Sequence, residues 1–146
     1  MSNFSLRRTA DMPISEESAR EQVLALLEHY DIDIDSMDSE RKGSAEASFE
    51  KLTRFYRMGI FENATADSFK VIQHLKQAPG AVKDLTYSEI SGKNRIASDG
   101  KKSDQRMSMV YAMMGSLTGL GEGPMQDLSG IDLAAMETLG LVFLML

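Results

Sequence analysis

The chain has no cysteine and no tryptophan. Without cysteine there can be no disulfide framework, zinc ribbon, thiol nucleophile or iron–sulfur cluster. Two histidines, His29 and His74, leave little for metal binding or acid–base chemistry. Long apolar runs are also missing. The longest, Leu141-Val142-Phe143-Leu144-Met145-Leu146, has six residues, whereas a bilayer-spanning helix needs about 20. The arginine pair Arg7-Arg8 is followed by no apolar stretch, so no signal peptide is expected and the cytoplasm is the default compartment. Bases are absent from residues 107–146, which carry four acids.

What is present describes a globular chain. Its 146 residues fit one domain and suffice to bury a core without staples. Hydrophobic residues make up 42% and charged residues 26%, the balance of a soluble protein. The formal net charge is −6, unfavourable for general nucleic-acid binding, which draws on Lys and Arg. Residues 1–66 hold 13 acids and 8 bases, and residues 67–106 hold 5 acids and 8 bases. The nearly uncharged last third must therefore be core or interface.

Periodicity predicts a mainly α fold, a small helical domain of about four helices with a short two-stranded β element. Residues 1–13 read as a flexible tail. A helix over 15–30 starts at Ser15, a good cap, with Glu16 and Glu17 at the positive end of the dipole. The Asp-rich stretch 31–38 reads as a connector with Ile32 and Ile34 tucked inward. A second helix over 39–58 presents Ala45, Phe49, Leu52, Phe55 and Tyr56 on one face, has a weak spot at Gly43 and ends at Gly59. These two helices form an N-terminal pair over 14–66, joined to a C-terminal region over 67–146 in one compact unit.

Leu85-Thr86-Tyr87-Ser88 alternates as a strand should, whereas Phe69 to Leu75 fits a strand or a short helix. Ser91 to Asp104 reads as a loop and Gly119 to Pro124 as a turn. Helices over 103–118 and 129–144 complete the set. Ser129 is the expected cap of the last one, and Asp132 stands where a capping box would place an acid.

No pattern in the chain points to catalysis, a cofactor or a metal. Asp31, Asp33 and Asp35 imitate the start of a calcium loop, but Ser36 and Lys42 stand where Gly and the closing Glu are required. No Gly-x-Ser-x-Gly elbow surrounds a serine, so His29 and His74 read as structural. Gly119, Gly121 and Gly123 follow a helix rather than a strand, the wrong order for a dinucleotide loop. The bases Lys93, Arg95, Lys101, Lys102 and Arg106 lack interleaved aromatics and precede a helix without bases, so they read as a solvated loop rather than a nucleic-acid reader.

Methionine is over-represented, with 11 in the chain and seven in residues 107–146. Met fills core gaps and also serves adaptable binding surfaces. The two C-terminal helices are expected to pack through Met107, Tyr111, Met114, Leu133, Met136 and Phe143. Met109 and Met113 would then face the N-terminal helices or a partner. The candidate partner-binding residues are Met109, Met113, Tyr111, Met136 and Phe143.

The phrase Leu85-Thr86-Tyr87-Ser88-Glu89-Ile90-Ser91-Gly92-Lys93-Asn94, then a helix, then Leu128-Ser129-Gly130-Ile131-Asp132-Leu133 running into an apolar end, resembles tail assembly chaperones of tailed bacteriophages. The resemblance covers about residues 69–146. It implies a non-catalytic role in the host cell cytoplasm, where such proteins cover a tape-measure protein while the tail tube forms around it. The implied partner is that protein or another tail protein, with self-association as a further option and no nucleic acid or membrane. The alternative is a permanent baseplate or connector component of the particle.

Overall fold

The computed structural model describes residues 13–98 and 105–145; the expected tail, apart from Pro13, and residues 99–104 of the expected loop lie outside them. The chain is mainly helical with a small antiparallel sheet. Helix α1 spans Glu16–His29, and the Ser15 hydroxyl accepts from Ser18 N–H at 3.1 Å, the expected cap. A single 3₁₀ turn at Ile34–Ser36 leads to α2, Ser39–Arg57, capped by Asp38. Between them Asp31 takes the left-handed conformation (φ 55°) that turns the chain out of α1. Ile14 N–H donates to Arg57 O at 2.8 Å, so α1 begins beside the end of α2 and the two run antiparallel. Gly59 (φ 80°) reverses the chain into the sheet.

The sheet has three strands rather than two: β1, Phe61–Ala64; β2, Lys70–His74; and β3, Asp84–Tyr87, in the order β1-β2-β3. Strand β1 is not expected from sequence, because four residues flanked by a helix end and a polar turn show no alternation of their own. Glu62 pairs with Ile72, and Ile72 pairs with Thr86. Val71, Gln73, Leu85 and Tyr87 are buried under the helices, and Leu85 and Tyr87 share a face as the alternation predicts. Because β1 lies in the 14–66 region and β2 in the 67–146 region, the sheet joins the two.

Two further helices replace the expected loop and turn. Helix α3 covers Gly92–Ser98 and α5 covers Glu122–Gln126. The long C-terminal helices lie where the spacing places them, α4 at Arg106–Thr118 and α6 at Gly130–Phe143. The Ser129 hydroxyl makes no capping bond, contrary to expectation. Asp132 does not complete a capping box either; its carboxylate accepts from Lys76 N–H at 2.9 Å and Gln77 N–H at 2.8 Å beyond the end of β2. One hydrophobic core contains side chains of α1, α2, the sheet, α4, α5 and α6.

Candidate protein-binding surface

Burial settles first what cannot be a surface. Of the five candidate partner-binding residues, Met113, Met136 and Phe143 are at most 3% exposed, and Met109 and Tyr111 are half-buried. The five do not form one open face. The physical reason lies in the helices that the sequence presents as loop and turn. Helix α4 is flanked by α3, α5, α6 and β3, so apolar surface that a two-helix hairpin could not hide is covered within the chain. Val110 and Met114 pack on Gly140, where there is no side chain to keep the helices apart. Met107, expected in that seam, is instead exposed. The Tyr111 hydroxyl donates to Glu137 at 3.0 Å; partial burial and this bond both push its ionisation upward.

The two histidines and the Asp33–Asp35 run have structural partners. His29 stacks on Phe69 at 4.4 Å, and its Nε2 lies 3.1 Å from Glu89. His74 bridges the outer face of the sheet, with Nε2 2.6 Å from Glu62 on β1 and Nδ1 2.8 Å from Asp84 on β3. Asp33 accepts from Asp35 N–H, and Lys42 Nζ lies 3.5 Å from Asp35, which occupies that part of the calcium-like run. Lys93 and Arg95 are exposed on α3, and Arg106 begins α4; Lys101 and Lys102 lie outside the described residues. Among the described residues no three His, Asp or Glu side chains gather where they could hold a metal ion. No described helix is long and apolar enough to cross a membrane.

A buried polar chain fixes one end of the sheet. Tyr87 Oη donates to Gln73 Oε1 at 2.6 Å, and Gln73 Nε2 donates to Asp132 O at 2.9 Å. Burial pushes the Tyr87 hydroxyl far above its usual ionisation range, and the Asp132 charge adds to the shift. This chain ties β2 and β3 to the start of α6. The β2–β3 connection, residues 75–83, runs on from the end of β2.

Between that connection and α5 lies an open groove of about 220 Å³. Leu75, Leu85, Leu128 and Pro124 line it, with Val82 and Leu120 at its rim. Val82 is 48% exposed and Leu120 46%, so two large apolar side chains stand in water on either side of an apolar floor. Residues around this groove are the ones sequence reasoning misses. Val82 follows Pro79-Gly80 and Leu120 stands between two glycines, so neither belongs to a periodic run. The available signal is an isolated large apolar residue inside a turn.

Comparison with protein-family models, with curated proteins and with solved structures finds no match to this chain.

Proposed function

We propose that the chain is a non-catalytic phage tail assembly chaperone that covers apolar stripes of a tape-measure protein while the tail tube forms. The observation that carries this reading is the apolar groove, with Val82 and Leu120 exposed over Leu75, Leu85 and Leu128. Its lining residues, 75–128, all fall within the span that resembles such chaperones. A tape-measure protein is long and helical, and it exposes apolar stripes until the tube encloses it. A small acidic protein with an open apolar groove can shield such a stripe, and its charge of −6 keeps the complex dispersed.

The test is co-expression with the tape-measure protein of the same genome, followed by analysis of finished particles. We expect the long protein to be soluble only with its partner, and the Val82→Glu, Leu120→Glu variant to fold but lose this effect. Purified particles should lack the chain. Stoichiometric presence in those particles would instead make it a baseplate or connector component. A tape-measure protein equally soluble alone would overturn the chaperone role.

A further inference from the structure

The two edges of the sheet are treated differently. On the β1 side, Asn63 N–H donates to Gln22 Oε1 at 2.8 Å and Asn63 Nδ2 donates to Gln22 O at 2.8 Å, so α1 lies across that edge, where Phe61 is fully buried. On the β3 side, Leu75 N–H donates to Lys83 O at 2.9 Å, while His74 N–H donates to Ile60 O at 2.7 Å. Alternate residues of β2 therefore serve β3 and β1 in turn. By the same alternation Leu85 and Tyr87 face β2, and Asp84, Thr86 and Ser88 aim their backbone groups outward. Ser88 N–H donates to Leu117 O at 3.2 Å. The outward backbone groups of Asp84 and Thr86 have no partner among the described residues.

We propose that this edge takes an extended segment of a partner polypeptide as a fourth strand, with apolar side chains alternating with basic ones. An unpaired edge supplies the main-chain bonds of strand addition, and neighbouring pockets read alternate side chains. Leu85 stands between the two open positions and lines the groove below Val82 and Leu120. A guest side chain on the same face as Leu85 enters that groove. On the other face the guest meets Asp84, whose carboxylate is about half exposed, with Glu62 on the far side of His74. A cross-strand Lys or Arg is favoured there and an acid is disfavoured. A second copy pairing through its own β3 would bring another Asp84 to this face, with its neighbouring Lys83 alternating to the opposite one. The proposal requires a polypeptide partner, not a tail protein, so it stands apart from the reading above.

The probe is a fluorescent peptide of alternating lysine and valine, titrated into the full chain at low salt. It should bind, and the amide protons of Asp84 and Thr86 should become protected from exchange. A peptide of equal composition with its lysines and valines in separate blocks should bind about tenfold more weakly or worse. Thr86→Pro removes an N–H that serves no β2 partner, so the fold should persist while binding falls by a similar factor. Leu120→Asp, a change at an exposed site, should weaken binding as well, and it decides the matter if Thr86→Pro does not fold. Equal binding of the block peptide, unprotected amides at Asp84 and Thr86, or both variants binding normally would each overturn the proposal. So would a dimer of the chain that protects those two amides, which would give the edge to a second copy. Failure with the tape-measure protein alone leaves the proposal intact and sinks only the tail reading.

Discussion

A methyl group on Gly115 would lie 2.5 Å from the carbonyl carbon and oxygen of Gly121 and 2.8 Å from Glu122 N. All three are backbone atoms, so nothing can swing aside. A methyl group on Gly140 would lie 2.5 Å from Val110 Cγ1, the end of a side chain. Both substitutions overpack the core, at a cost of about 1–3 kcal/mol each. They differ in what repairs them. In urea denaturation we expect Gly140→Ala to be partly rescued by Val110→Ala, which removes the clashing methyl groups, giving a coupling well above additivity. The same partner should do nothing for Gly115→Ala. Simple additivity of Val110→Ala with Gly140→Ala would show that α4 and α6 separate instead of repacking. The clashes themselves are not legible in the sequence, where Gly140 falls on the apolar seam of the last helix but its partner cannot be read, and Gly115 looks only like a weak helix former. Close approach is a property of two segments, and a linear reading sees one at a time.

Elements with their own signals are legible in the sequence. Ser15 caps α1 through the bond that its residue type implies, and the apolar seams set the lengths of all four long helices; for α2 the residue types leave Asp38 and Ser39 open as caps, and Asp38 makes the bond. Elements that depend on a neighbour are not. Strand β1 is defined by its pairing with β2, and α3 by Asn94, whose side chain accepts from Ser91 N–H at 2.8 Å and donates to Ser116 Oγ at 2.8 Å. The groove shares this fate, since its two rims come from turns about 40 residues apart in the chain. Asp132 is the middle case. An acid near the start of α6 is expected from the capping pattern, but its acceptor role serves the end of β2. One element property can be improved directly. Gly43 lies inside α2, and a methyl group there would meet nothing within 4 Å, so no contact explains the glycine. Gly43→Ala should raise stability by about 0.5–1 kcal/mol, read as a higher urea midpoint with an unchanged slope. A lower midpoint would mean that α2 needs its flexibility there.

For the molecule as a whole, burial of tyrosine hydroxyls couples folding to alkaline pH. Burial pushes Tyr56 and Tyr87 far above the ordinary value of 10.0. The Tyr56 hydroxyl donates to Asn63 Oδ1 at 2.7 Å, linking α2 to β1. The unfolded chain loses these protons first, near pH 10, so the stabilisation is complete below that pH and declines as pH rises above it. Tyrosinate absorbance from these two residues should therefore appear together with the loss of helical circular dichroism. Phenylalanine at either position should shift that transition to higher pH if the lost hydrogen bond leaves the fold intact. Ionisation of both hydroxyls in a still-helical protein would contradict their burial.

The Gln22 contacts that close β1 also set the valence of the sheet. A sheet with two free edges is a divalent unit, and divalent units polymerise. With α1 across one edge, this sheet is monovalent toward strand pairing. Growth by that route stops after one addition, whether the addition is a guest segment or a second copy. The protein can therefore present an unpaired strand at high concentration without seeding a fibre, and each chain that carries a guest carries one. Gln22→Ala removes the acceptor for Asn63 N–H and tests this limit: light scattering should then grow with concentration, where the unaltered chain stays monomeric.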